Sequence, residues 1–90
     1  MLYDISLKHL IEDATLGGME TAIQAALAFR RSMKLSQPVF AARFGLPLQT
    51  LRQWERGTRT PDTAADVLLR VIVADPDLVE RVVREMHAAG

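Results

Sequence analysis

The segment Ser36–Gly57, SQPVFAARFGLPLQTLRQWERG, leaves its backbone few options. Ser36 can cap a helix, and Pro38 is tolerable just behind it because the first helical turn needs no intrahelical N–H bond. Helical periodicity then runs to Phe44, and Gly45 stops it. Gly45 and Leu46 make a non-helical link, Pro47 suits the first position of a second helix, and Gly57 ends that helix just beyond Arg56. The spacing predicts two helices of about nine residues each, joined by a glycine turn.

The rest of the chain follows the same period. No Val, Ile or Thr run alternates in the manner of a half-buried strand, so the expected class is all-α. Leu7, Leu10, Ile11 and Ala14 recur at helical spacing after Ser6, with Gly17–Gly18 as the stop. A longer helix is expected from Met19 to Met33, its apolar stripe running through Ala22, Ile23, Ala26, Leu27 and Phe29. Thr58–Pro61 reads as loop, and Asp62 or Thr63 can cap a helix to about Ala74 that is apolar almost all round and so expected to be the most buried. Asp75–Pro76 opens a last helix whose stripe is Val79, Val82, Val83 and Met86. Ninety residues suffice for one small domain, laid out as an N-terminal helix extension over 1–18, a core over 19–74 and a C-terminal helix over 75–90. A chain this short buries only about 60 to 65% of its unfolded surface, which makes a deep catalytic cleft hard to build; no enzyme is expected.

Charge is balanced overall, at eleven basic and eleven acidic residues, but it is segregated along the chain. Residues 28–60 carry Arg30, Arg31, Lys34, Arg43, Arg52, Arg56 and Arg59 against Glu55 alone, a net charge of +6 flanked by a net −3 on either side. A polyanion meets that local field and not the neutral total. On the second helix of the Ser36–Gly57 pair, Leu51 and Trp54 face inward toward Phe40, Ala41 and Phe44, while Gln49, Gln53 and Arg56 share the outer face. Gln pairs bidentately with adenine and Arg with guanine, so such a row suits the base edges of the DNA major groove, although taken alone it reads equally as the solvated face of a surface helix; the pair of helices has the plan of a helix-turn-helix.

These residues resemble the Cro/C1-type (XRE) helix-turn-helix family of phage repressors and small bacterial regulators. Ser36–Gln37, Phe40–Ala41, Gly45, Leu51, Trp54–Glu55, Gly57, Arg59 and Pro61 carry the resemblance, which covers roughly 27–74. It implies a five-helix bundle of the lambda-repressor kind, with Leu48, Gln49 and Gln53 at the base-reading positions. It also implies that Gln37 touches a phosphate and braces a recognition-helix Gln, and that Arg30 and Glu55 form a structural ion pair. Arg43, Thr50, Arg52, Arg56 and Arg59 are the other candidate DNA-backbone contacts. Three positions depart from the pattern: Pro47 replaces the usual Ser or Thr cap, Leu48 offers no hydrogen bond to a base, and Val39 stands where Glu or Gln would complete a capping box with Ser36.

Residues 51–82, LRQWERGTRTPDTAADVLLRVIVADPDLVERV, are further similar to antitoxins of the HigA and MqsA kind. That likeness implies a homodimer on a palindromic double-stranded operator, repression of its own operon, and a small ribonuclease toxin as partner. The acidic N-terminal helix is a candidate toxin contact or a helix packed on the bundle. The stripe of the last helix serves either as the dimer surface or as packing within the monomer. Two other readings stand beside the antitoxin: a stand-alone or phage-type repressor, and a protein-interaction adaptor that does not bind DNA, for which Pro47 and Leu48 speak. No cofactor is expected. His9 and His87 lie far apart with no Cys beside them, so no metal site is expected, and Asp75–Pro76–Asp77 lacks the remaining ligands of a calcium loop. Without a basic n-region or an apolar run of about 20 residues, the chain is expected in the cytoplasm and not in a membrane.

Overall fold

The computed structural model describes residues 21–89. Five helices follow one another: α1 (Ala22–Ser32), α2 (Gln37–Phe44), α3 (Leu48–Arg56), α4 (Thr63–Ala74) and α5 (Pro76–Ala89), with no strand among the described residues. Among the described residues the all-α expectation and the five-helix bundle hold. The helix expected over 7–14 lies outside the described residues.

The helix starts are set by side chains. The helix expected from Met19 begins at Ala22, because Thr21 is an extended cap whose hydroxyl accepts from the Gln24 N–H, while the Gln24 amide oxygen accepts from the Thr21 N–H. This reciprocal pair satisfies two donors that a helix start otherwise leaves open. Ser36 caps α2 through the Val39 N–H at 3.3 Å, Asp62 caps α4 through the Ala65 N–H at 2.9 Å, and Asp75 caps α5 through the Leu78 N–H at 3.2 Å. Pro47 sits one position earlier than expected: it is the cap residue of α3, with extended backbone and no side-chain bond to offer, and Leu48 is the first helical residue.

Left-handed residues set the ends. Gly45 (φ 72°) and Gly57 (φ 79°) terminate α2 and α3 as expected, and each is followed by a residue whose N–H reaches back into the helix, Leu46 to the Ala41 carbonyl and Thr58 to that of Gln53. Lys34 does the same after α1 at φ 57°, a conformation strained for a residue with a Cβ.

α1 packs chiefly along α4 and touches α3; α2 lies between α3 and α5, and α5 folds back on α4. Phe40, Phe44, Leu51, Leu69 and Ile72 fill the centre with no side-chain exposure above 2%. Burial of each contributes about 1.5 to 3 kcal/mol. Phe29 of α1 meets Phe40 and Phe44 at ring centroid distances of 6.3 and 6.2 Å, locking α1 across α2. Leu46, in the link between α2 and α3, is also buried, and it seals the turn from below.

Two expectations about burial are corrected. α4 is not buried all round: Leu69 and Ile72 face the core, but Val67 is 56% exposed, because α1 and α5 cover only one side of the helix. The apolar stripe of α5 divides into two. Val79 and Val83 face α2 and α4, while Val82 and Met86 turn outward together with Leu78.

Candidate nucleic-acid interface

α3 carries the expected face. Leu51 and Trp54 anchor it in the core, so residues a quarter to a half turn away are forced to its flanks and the remainder outward. Gln49 and Arg56 are exposed and Gln53 and Arg52 half-buried, all on one side; Arg59 is exposed in the following loop. Thr50 is half-buried on the flank opposite Arg52. Leu48 is also half-buried and packs partly against the core, which leaves only part of its side chain for any ligand.

The helix is held in place by one polar network. The Arg30 guanidinium donates through Nε and Nη2 to the two Glu55 oxygens at 2.9 and 2.8 Å, a bidentate fit, and through Nη1 to the Leu35 carbonyl at 2.9 Å. One side chain therefore fastens the end of α1, the turn before α2 and the last turn of α3. The pair is largely buried, with side-chain exposures of 14% for Arg30 and 7% for Glu55. The ion pair implied by the resemblance is thus formed.

Gln37 joins this network. Its Nε2 donates to Glu55 Oε1 at 2.8 Å, and its Oε1 accepts from Arg52 Nε at 3.4 Å. A carboxylate only accepts, so Glu55 dictates which end of the Gln37 amide faces it and leaves the carbonyl oxygen for Arg52. The recognition-helix side chain that Gln37 braces is Arg52, not Gln49 or Gln53. Arg52 and Glu55 are three apart on the flank of α3 that faces the start of α2, whereas the two Gln point away from it.

Arg43 does not join the group. It lies in the last turn of α2 and turns toward α5, where its Nε is 3.5 Å from Glu80 Oε1; Arg84 reaches the same oxygen at 3.9 Å. The contributions that sequence reasoning missed are Thr21, whose capping signature T-x-x-Q was legible, and Leu35, whose carbonyl receives Arg30 and carries no sequence signal. Among the described residues no cluster of His, Cys, Asp or Glu could hold a metal ion, and no helix is long and apolar enough to cross a membrane.

Comparison with known proteins adds one match: the family model described as helix-turn-helix covers residues 27–65, from the middle of α1 to the first turn of α4. No curated protein and no solved structure matches the chain. The matched span contains the braced pair α2–α3 together with Arg30, Glu55 and the outward Gln and Arg residues. On that match and that geometry, residues 27–65 are similar to helix-turn-helix domains, with α2 and α3 as the two helices of the motif.

Proposed function

We propose that the protein reads a palindromic DNA operator as a homodimer, represses its own operon, and is the antitoxin partner of a small ribonuclease toxin. The observation that carries the DNA part is the outer face of α3, where Gln49, Gln53, Arg52 and Arg56 share one side of a helix whose orientation is fixed by Arg30, Glu55 and Gln37. Gln49 and Gln53 read base edges, with Leu48 offering a methyl-sized apolar contact to thymine. Arg52, Arg56, Arg59 and Thr50 neutralise or bond phosphates. Arg43 and Gln37 act indirectly in this reading, since both are engaged by other side chains.

Dimerisation is supported by site size and by α5. One module covers about half an operator, and a two-fold pair sets its recognition helices about 34 Å apart along the duplex. Leu78, Val82 and Met86, four apart on α5, are 37%, 43% and 64% exposed and form an apolar row suited to a second copy. The antitoxin role rests on the likeness of residues 51–82 alone.

The test is a mobility shift of the protein on its own upstream region at two salt concentrations, with the neighbouring gene product added or withheld. Specific, salt-dependent binding altered by the neighbour is the expected result. Specific binding indifferent to the neighbour means a simple repressor, and no binding at either salt means an adaptor.

A further inference from the structure

Between α2 and α5 runs a cleft of about 360 Å³. Its apolar wall is Val39 and Ala42 from α2 and Val83 from α5, and Val39 is 45% exposed among the described residues. Glu80, Arg84 and His87 recur at i, i+4 and i+7 and so line the cleft from one face of α5, roughly half a turn from the Leu78, Val82 and Met86 row. Arg43, four residues after Val39, faces them from α2. The lining therefore carries two guanidiniums against one carboxylate, a surplus of one positive charge with His87 neutral. Glu80 does not saturate them. Arg43 Nε and Arg84 Nη1 stand 3.5 and 3.9 Å from the same oxygen, beyond ordinary hydrogen-bond distance, so both forks of N–H donors are left for another acceptor.

We propose that this cleft binds a small organic carboxylate, its anionic end between Arg43 and Arg84 and its apolar body against Val39, Ala42 and Val83. A carboxylate matches the guanidinium fork, and the apolar wall beside the two arginines suits a hydrocarbon body, which an inorganic anion lacks. The volume lies near the lower end of ligand pockets, about 300 to 1,000 Å³, which limits that body to about one ring. Val83 ties the site to the turn ahead of α3. Its Cγ2 would stand 3.0 Å from a Cβ placed on Gly45, so the turn rests directly on this side chain. An occupant pressing on Val83 reaches the turn that sets α3 and lowers operator affinity. Control of α3 rests on the DNA-binding reading; the ligand site does not.

The probe is benzoate, with benzamide as its uncharged counterpart, each titrated into the isotopically labelled full chain and followed by backbone amide resonances. Benzoate is expected to shift Val39, Ala42 and Val83 with a Kd of about 2 mM, as so small a ligand permits. Benzamide binds about fivefold more weakly, the factor that one opposite charge about 4 Å away contributes in water. Arg43→Gln and Arg84→Gln each weaken benzoate by a similar factor, and Glu80→Gln strengthens it about threefold by removing a like charge about 7 Å away. Both arginines belong to surface ion pairs, so the variants keep the parent's melting temperature. No saturable shift by about ten times the expected Kd overturns the proposal, as do equal affinities for benzoate and benzamide or arginine variants that bind like the parent. At matched ionic strength, saturating benzoate lowers affinity for the upstream duplex and benzamide does not. Benzoate binding with duplex affinity unchanged refutes the control of α3 alone, and benzoate binding by a chain that holds no duplex at low salt refutes the DNA reading while the ligand site stands.

Discussion

Glu55→Ala tests the network that fixes α3. The substitution leaves the Arg30 guanidinium, 14% exposed, without the two oxygens it pairs, and strips the Gln37 amide of its acceptor. Removing one partner of a buried ion pair costs about 3 to 5 kcal/mol, because the other charge stays desolvated. Arg30 keeps its bond to the Leu35 carbonyl and a little solvent, which places the loss at the low end, about 3 kcal/mol. A domain of this size has about 5 to 13 kcal/mol in all, so the variant folds but melts about 15 °C lower. Urea unfolding followed by far-ultraviolet circular dichroism measures the loss directly. A companion, Arg30→Met/Glu55→Leu, separates the charge from the packing: with both charges gone the desolvation cost disappears too, and most of the stability returns. Two results refute the reasoning. A loss under about 1 kcal/mol for Glu55→Ala means the pair behaves as a solvent-screened surface pair. A double variant as unstable as the sum of the singles means the two side chains are not coupled.

The reading face, the turns and the dimer give four further predictions. Gln49→Ala or Gln53→Ala costs about 1 to 3 kcal/mol of operator affinity and relaxes sequence preference, whereas Arg59→Ala weakens all sequences alike and lowers the salt slope by about one; equal loss on every sequence for the Gln variants removes their reading role. Gly45→Ala destabilises more than Gly57→Ala, because both are left-handed but only at Gly45 does the new methyl meet a neighbour, Val83 Cγ2 at 3.0 Å; equal melting shifts contradict this. Lys34→Gly relieves the left-handed strain at φ 57° and, after the extra entropy of an unfolded glycine, raises stability by about 0.5 kcal/mol, read as a small rise in the urea midpoint. Val82→Asp leaves unfolding within about 0.5 kcal/mol of the parent, since the side chain is 43% exposed, but halves the mass seen by light scattering if α5 is the dimer surface.

The helix ends were legible because each rests on a residue type with one dominant conformational use. Ser36, Gly45, Gly57, Asp62 and Asp75 fall at the predicted caps and stops. What was not legible depends on which side of a helix has a neighbour. The apolar run from Val67 to Val73 gives no hint that α1 and α5 leave Val67 uncovered, nor does the α5 stripe show that Val82 and Met86 part from Val79 and Val83. Leu46 looks like linker in sequence, yet a residue after a left-handed glycine commonly packs back on its helix, and it does so here.

The same geometry narrows how α3 can discriminate between DNA sequences. Leu51 and Trp54 fix the rotation of the helix, and at 100° per residue that rotation commits Arg52 and Glu55 to the flank beside α2. There Glu55 is consumed by Arg30, and Gln37 holds Arg52 by its Nε, leaving the guanidinium tip for a phosphate. Leu48 is shared with the core. On the proposed reading, that leaves Gln49 and Gln53 to face a groove squarely, with Arg56 exposed on the same side for a phosphate. Under the proposed DNA reading, sequence preference in such a face is expected to fall on two or three neighbouring base pairs per half-site, with adenine favoured opposite each Gln. On the same proposal, affinity beyond that comes from the phosphates and from a second copy, so the Gln substitutions are expected to relax specificity and Arg59→Ala to lower binding to every sequence.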